Sequence, residues 1–361
     1  MQPRPLGSCG LLVSPIVHGA QAFARKEPTD RVRTLHAAID AGITSIDTAP
    51  LYEFGESERL VGQAVADRRE RVQLLSKVGL RWDDDHGDVL FTTVDEHGAP
   101  RVVRKDGRPA SVRRDVEQSL RRLGVDELDL CQVHHPDPHV PVADTMGELL
   151  RLRDEGKLRA IGVCNYSAEQ IVEAQRALGE VPLASLQSEY SLLRRQVERG
   201  PMDAVHELGI GFLAYSPLMH GLLAGRMAHH RRLARDDHRR YNPLFHPLNV
   251  ARVEQARARG LEPLARRHGV LEAQVALAWV LGRPGVTAVI AGASTAAQVR
   301  ANVRAVELRL LPGERAGLEA EMAQVQLDPH VRPRRRDRLR DRGERIAEEL
   351  ATRLRRRFPW L

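Results

Sequence analysis

Short apolar runs alternate along the chain with longer stretches in which apolar residues recur at helical spacing. The short runs predict eight strands: Pro15–Gly19, Ile43–Ile46, Val72–Lys77, Leu128–Val133, Ala160–Val163, Leu183–Gln187, Gly211–Ala214 and Val286–Ile290. The longer stretches predict helices over Arg31–Ala41, Ser57–Val65, Arg113–Leu123, Thr145–Glu155, Ala168–Ala177, Met202–Leu208 and Ala296–Val306. Strands that alternate with helices form parallel sheets, and eight such units close into a (β/α)8 barrel.

An open doubly wound sheet is the main alternative. Such a sheet needs a G-x-G-x-x-G turn after its first strand, whereas this chain has His18-Gly-Ala-Gln-Ala-Phe23 there. The closed barrel is therefore favoured.

Two stretches, Leu80–Pro109 and Pro217–Val250, do not fit the alternation. Both follow a strand, so both belong to the C-terminal face, where barrel active sites are built. Long insertions at that face commonly shape a substrate pocket. For Leu80–Pro109 a simple surface insertion is an equally good interpretation.

Composition places the chain among ordinary globular proteins, with 42% apolar and 29% charged residues. The three cysteines, Cys9, Cys131 and Cys164, have no paired spacing, which indicates neither a disulfide framework nor a zinc knuckle. A reducing, cytoplasmic location is therefore expected. We expect no membrane association, because neither a signal sequence nor a membrane-length apolar run is present.

The net charge of +7 is concentrated at the C-terminus. Residues 328–361 contain 12 arginines against 6 acidic residues and so carry +6 of it, which leaves the rest of the chain nearly neutral. Aromatic residues make up only 4%. A nucleic-acid partner is therefore not expected, because it would require a basic groove on the folded domain.

The C-terminal residues 328–361 are predicted to form an Arg-rich helical extension to a barrel over 1–327. Ile346, Leu350, Leu354 and Phe358 recur every four residues, like one face of a helix. Docking on its own barrel is the favoured interpretation, ahead of a subunit contact or an anionic surface. The oligomeric state is left open.

Candidate catalytic residues lie just beyond the predicted strands. Asp47 and Tyr52 follow the second strand, and Lys77 ends the third. Taken alone, Asp47 is better explained as a helix cap and Tyr52 as packing. A lysine at a barrel mouth, however, needs a carboxylate partner, and Asp47 is the available one. We expect the lysine cation to lower the pKa of Tyr52 toward the working range.

A pair of histidines, His134 and His135, follows the fourth strand. Neighbouring residues of a strand point to opposite faces, so the pair is not expected to share an ion. No metal site is predicted.

Several sequence blocks resemble the aldo-keto reductase superfamily. They are the segment from Leu6 to Ser14, similar to the family's N-terminal hairpin, Gly42–Tyr52, Gly55–Gly62, Arg113–Gly124 and the His-His-Pro that begins at His134. The resemblance spans nearly the whole barrel and implies a catalytic tetrad of Asp47, Tyr52, Lys77 and His134. His135 stands where the family usually has Trp.

The resemblance also implies residues that bind a nicotinamide cofactor: Gly19, Ala20, Cys164, Asn165, Gln187, Tyr215, Ser216, Pro217, Leu218, Gly221, Gly225, Gly292, Ser294, Gln298 and Asn302. Within that set, Cys164 replaces a Ser of the family pattern, and Tyr215 resembles the aromatic that stacks on nicotinamide. Gln21 and His135 are the implied substrate contacts.

The function implied is hydride transfer between NADP(H) and a small carbonyl, alcohol or sugar substrate, with Tyr52 as general acid and base. NAD(H) is the alternative cofactor, because Gly292, Ser294 and Gln298 stand where some relatives carry Lys or Arg. Two rival interpretations are a nicotinamide-binding, redox-sensing regulatory subunit with little turnover and a basic-tailed scaffold.

Overall fold

A computed structural model describes residues 1–23, 27–95, 99–225, 239, 242–328 and 331. The strands are β1 (Arg4–Pro5), β2 (Leu12–Val13), β3 (Ile16–Gly19), β4 (Ser45–Asp47), β5 (Gln73–Val78), β6 (Leu80–Arg81), β7 (Val89–Val94), β8 (Pro100–Lys105), β9 (Leu128–Val133), β10 (Leu158–Cys164), β11 (Ser185–Glu189), β12 (Gly211–Tyr215) and β13 (Val286–Gly292). The helices are α1 (Pro28–Asp40), α2 (Glu56–Val65), α3 (Pro109–Leu123), α4 (Val142–Asp154), α5 (Ala168–Leu178), α6 (Pro201–Glu207), α7 (Pro247–Arg259), α8 (Leu261–His268), α9 (Glu272–Leu281), α10 (Ala296–Arg304) and α11 (Pro312–Ala323).

Eight strands form a closed barrel in the order β10-β11-β12-β13-β3-β4-β5-β9, and every neighbouring pair is parallel. The predicted (β/α)8 fold is confirmed. The second strand begins at Ser45 instead of Ile43, because the Ile43 N–H donates to the Ala38 carbonyl and so closes the end of α1.

Helix α9 was not predicted from the sequence. Its residues from Gln274 to Leu281 are all buried, so it lacks the polar face whose 3.6-residue repeat identifies a surface helix. The helix packs against β13 on one side and against α8 and α10 on others.

The N-terminal end of the barrel is closed by the antiparallel hairpin β1–β2. Leu6, Leu11 and Val13 are buried against inward-facing barrel residues such as Leu75 and Leu130. Gly7 allows the hairpin to lie this close, because a Cβ there would be 2.8 Å from the Gly209 carbonyl oxygen. With this end closed by the hairpin, the C-terminal rim is the end left for a site.

The insertion after β5 forms a three-stranded antiparallel sheet in the order β6-β8-β7. Its first strand places Arg81 in a buried ion pair with Asp115 of α3. The other Asp115 oxygen accepts from the Gly79 N–H at 2.9 Å, so this carboxylate fixes the chain just beyond Lys77. Trp82 contacts the Phe54 ring edge-on at 5.4 Å. The insertion therefore lies against the rim of the barrel.

The second stretch, Pro217–Val250, is described at residues 217–225, 239 and 242–250. The predicted Arg-rich helix, with Ile346, Leu350, Leu354 and Phe358, lies outside the described residues. Within the described part of the chain, no helix has the length and apolar character needed to cross a bilayer.

Replacing Asp115 by Ala is expected to lower the free energy of unfolding by about 3 kcal/mol, since it leaves the buried Arg81 without one carboxylate and the Gly79 N–H without an acceptor. Urea denaturation measures the change. The matched control is Glu117→Ala on the same helix, which removes partly exposed pairs to Lys157, Arg113 and Arg121 and should cost less than about 1 kcal/mol. Equal losses in the two variants would contradict a special role for the buried pair.

Candidate active site

The rim of the barrel contains a buried ion pair between the ends of two neighbouring strands. Asp47 is the last residue of β4, and the Lys77 Nζ lies 2.7 Å and 2.8 Å from its two carboxylate oxygens. A third hydrogen bond, 3.0 Å long, runs from Nζ to the Thr48 carbonyl. Lys77 and Asp47 are only 1% and 2% exposed. All three ammonium hydrogens therefore have acceptors, as a buried cation requires.

Tyr52 lies against this pair, with the Lys77 Nζ 4.9 Å from the centre of its ring. Its backbone position depends on an unusual turn, because Glu53 and Phe54 have φ angles of 48° and 53°. The Glu53 carboxylate is held by Arg31 at 2.9 Å. Non-glycine residues rarely adopt this left-handed conformation, so the surrounding contacts must hold the turn.

The expected lowering of the pKa of Tyr52 was wrong. Burial of the phenol raises the pKa of Tyr52 to about 12, and the Asp47 carboxylate adds to the rise. The Lys77 cation acts in the opposite direction, as expected, but its effect is smaller than that of burial. The pKa of Lys77 lies above its usual value, because Asp47 and Tyr52 outweigh the effect of burial. Lys77 is thus charged and the phenol protonated at neutral pH.

The His134 ring also contacts the Tyr52 ring, in an edge-on arrangement with ring centroids 6.0 Å apart. The His134 and His135 rings stack at 5.7 Å with 18° between their planes. The expectation that they face opposite ways was wrong, because β9 ends at Val133 and strand alternation stops there. Burial lowers the pKa of His134 well below its usual value, and the Lys77 cation and His135 lower it further. Burial and Lys105 lower the pKa of His135 to about 4. Both imidazoles are neutral at pH 7.

An amide group beside the histidines joins three strand ends. Asn165, with φ of 61°, donates from Nδ2 to the His134 carbonyl at 3.0 Å and approaches His135 Nε2 at 3.4 Å. Its Oδ1 accepts from the Tyr215 hydroxyl at 2.9 Å. The contact to Nε2 fits a neutral His135 that carries its proton on Nδ1. Asn165 and Tyr215, both predicted cofactor residues, are thus linked directly.

Gln187 connects this area to the ion pair, because its Nε2 donates to Asp47 Oδ2 at 2.9 Å. Among the described residues, its carbonyl oxygen accepts no hydrogen bond. Cys164 lies buried on the adjacent strand β10, and burial raises the pKa of its thiol. Gln187 therefore offers a free acceptor beside the fully paired Asp47 carboxylate.

Five of the predicted cofactor residues lie together after β12: Ser216, Pro217, Leu218, Gly221 and Gly225. Ser216, Met219 and His220 have φ angles of 52°, 49° and 52°. In the described residues, every non-glycine position with positive φ belongs to the Tyr52 turn, to Asn165 or to this loop. Strained backbone is therefore concentrated at the rim, as is usual for ligand clamps.

The remaining predicted cofactor residues lie at the ends of β3 and β13 and on α10. Gly19 pairs with both Gly292 and Asp47 in the strand register, and Ala20 is buried directly after it while Gln21 is exposed. Gln298 Oε1 accepts from the Ser294 N–H at 2.7 Å and from the Ser294 hydroxyl at 2.9 Å. Asn302, one turn further along α10, is buried.

Three residues of the site were not predicted. The Thr48 carbonyl accepts a hydrogen bond from Lys77. The Trp82 ring contacts Phe54 in the turn that follows Tyr52. Gln132 is fully buried, two residues before His134. Gln132 could have been found from the sequence, because it is a polar residue within an apolar strand. Side chains alternate between the two faces of a strand, and this alternation places Gln132 on the face that lines the barrel interior.

As a whole, the arrangement presents a protonated phenol, a buried cation and a neutral imidazole at one rim, beside amides suited to a carboxamide. In the described ranges, no group of three or more His, Cys, Asp or Glu is placed to hold a metal ion. Proton transfer at a carbonyl oxygen is the chemistry that these groups suit.

Comparisons with known proteins identify the family to which the chain belongs. Residues 15–320 match the model of the aldo/keto reductase family. The aldo-keto reductase YhdN of Bacillus subtilis is 36% identical over 286 residues, which cover 78% of this chain and 80% of that protein. The NADH-specific methylglyoxal reductase of Escherichia coli is 34% identical over 335 residues, 90% and 99% of the two chains.

Solved structures of similar fold include the glycerol dehydrogenase AKR11B4 from Gluconobacter oxydans, with a TM-score of 0.79 and 32% identity over 92% of this chain and 98% of that one. The holo form of aldo-keto reductase AKR11C1 from Bacillus halodurans has a TM-score of 0.72 and 27% identity, with 91% and 99% of the two chains covered. The chain belongs to the aldo-keto reductase family and is an oxidoreductase that acts on carbonyl or alcohol groups with a nicotinamide cofactor.

Proposed function

We propose that this protein reduces small aldehydes, ketones or aldoses with NADP(H), using Tyr52 as the general acid, and catalyses the reverse oxidation with Tyr52 as the base. The observation that carries this proposal is the fully paired Lys77–Asp47 ion pair, buried against the Tyr52 ring. Burying a lysine cation in a barrel rim is unfavourable in free energy, so a chemical role accounts for its presence there.

Tyr52 holds the proton that a reduced carbonyl oxygen requires. Its raised pKa keeps it protonated at neutral pH, and the Lys77 cation stabilises the phenolate that remains after proton transfer. His134 is neutral and lies beside the phenol, so it orients the carbonyl by donating a hydrogen bond without adding charge.

The nicotinamide cofactor supplies or accepts the hydride. The residues present fit it: Gln187 provides a free amide acceptor for the carboxamide, and Asn165 would donate to it in place of the long 3.4 Å contact to His135 Nε2. The half-buried Tyr215 ring lies beside Asn165. Backbone N–H groups of the strained loop from Ser216 to Gly225 suit a pyrophosphate.

NADP(H) is proposed as the preferred form of the cofactor. Residues 292–302 contain no carboxylate that would repel a 2′-phosphate, whereas the NAD-binding sites of doubly wound folds carry one to hold the ribose hydroxyl. The N–H and hydroxyl of Ser294, which now bind Gln298, lie just before the N-terminus of α10, where an anion is favoured. The NADH specificity named for the Escherichia coli relative makes NAD(H) the alternative.

The proposed substrates are small and polar, in keeping with the methylglyoxal and glycerol named for two relatives. His135 and Gln21 are proposed to contact them. A cytoplasmic location, suggested by three unpaired cysteines, is part of the same proposal.

Replacing Tyr52 by Phe is expected to lower single-turnover reduction of methylglyoxal or glyceraldehyde by about 10³-fold or more, because the ring remains but the proton donor is lost. NADPH and NADH oxidation is followed at the nicotinamide absorbance band, and binding by fluorescence titration. NADPH affinity should stay within about threefold of that of the unsubstituted protein. Undiminished turnover would overturn the assignment, while tight NADPH binding without turnover by the unsubstituted protein would favour a redox-sensing subunit.

The pH dependence of the two directions should differ. For reduction, kcat should be flat between about pH 6 and pH 9, since both imidazoles are already neutral and Tyr52 still keeps its proton. Alcohol oxidation needs the phenolate, so its rate should rise by up to about tenfold per pH unit over the same range. An inflection of the reduction rate near pH 6.5 would show instead that a histidine titrates in the reaction.

A further inference from the structure

A row of polar side chains crosses the barrel interior beneath the ion pair. Gln132 of β9 and Ser185 of β11 are both fully buried. Gln132 Oε1 accepts from the Ser185 hydroxyl at 3.2 Å and from Gln187 Nε2 at 3.4 Å. The same Nε2 donates to Asp47 Oδ2 at 2.9 Å. The row therefore connects the barrel interior to the catalytic carboxylate.

Gly162 on the intervening strand β10 makes the row possible. It pairs in register with Gln132 on one side and Ser185 on the other. A Cβ at Gly162 would lie 2.3 Å from the Ser185 hydroxyl oxygen and 2.9 Å from Gln132 Cγ. Any side chain there would displace the contact, so the missing side chain leaves the space in which Gln132 and Ser185 meet.

The orientation of the Gln132 amide is determined by its partners. If its oxygen and nitrogen were exchanged, an N–H of Gln132 would face the Nε2 of Gln187, which is also a donor. In the observed orientation Gln132 Nε2 is buried and has no hydrogen-bond partner among the residues that the structure describes. An unpaired buried amide nitrogen is costly, so its retention suggests that the acceptor oxygen has a use.

We propose that Gln132 is a positioning residue that fixes the plane of the Gln187 amide and thereby aims the Gln187 carbonyl oxygen at the cofactor carboxamide. The two Nε2 hydrogens of Gln187 lie in the plane of its amide and point at Asp47 and Gln132, so the two acceptors together define that plane. Asp47 alone would leave the amide free to turn about a single hydrogen bond. This inference rests on the proposed function, because it assigns the free oxygen of Gln187 to nicotinamide.

The test compares binding of a whole dinucleotide with binding of its adenosine half. Gln132→Leu should bind NADPH about tenfold more weakly, the loss expected for a misdirected hydrogen bond, and bind adenosine 2′,5′-bisphosphate with unchanged affinity. Ser185→Ala, which removes the second donor to Gln132, should show the same selective loss at about threefold. If the unsubstituted protein prefers NADH, the pair of probes is NADH and adenosine diphosphate.

Gln175→Leu is the matched control, because this glutamine binds the Gly179 and Val181 carbonyls and the Leu183 N–H, none of which belongs to the site. It should lower the melting temperature and leave both affinities unchanged. Unchanged NADPH affinity in Gln132→Leu and Ser185→Ala, or an equal loss for both ligands, would overturn the inference. Failure of the unsubstituted protein to bind either dinucleotide would overturn the proposed function itself.

Discussion

The buried ion pair between Asp47 and Lys77 is the interaction on which the site depends. Transferring either charge alone into the barrel would be unfavourable by several kcal/mol, so each requires the other and the hydrogen bonds around them. Lys77 also binds the Thr48 carbonyl, and Asp47 also accepts from Gln187. Adjacent parallel strands deliver these groups to one rim, which is why the closed barrel is a precondition for the chemistry.

Around this pair the backbone is strained and the side chains are paired with one another. The left-handed residues Glu53, Asn165 and Ser216 lie in three different loops that meet at the rim. Asp115 holds the chain beyond Lys77 through the Gly79 N–H, and Arg31 holds the Tyr52 turn through Glu53. Rigid contacts outside the site thus maintain conformations that the local sequence does not favour.

The barrel and the meeting of Asp47, Tyr52, Lys77 and His134 at one rim could be predicted from the sequence, because apolar periodicity locates the strands and strand ends share a rim. The assignment of the tetrad came from the resemblance to a family, since Asp47 alone would equally suit a helix cap. Helix α9 was missed because burial on all sides removes its periodicity. The direction of the pKa shift of Tyr52 was predicted wrongly, since burial cannot be weighed against a nearby cation without coordinates.

Single-turnover oxidation of bound NADPH by methylglyoxal tests most directly whether the buried pair serves the chemistry. The variant Asp47→Asn, Lys77→Met removes both charges together, so no uncompensated charge is left in the barrel. The account predicts that NADPH still binds within about tenfold while hydride transfer falls by about 10³-fold. A rate within about threefold of that of the unsubstituted protein would contradict it.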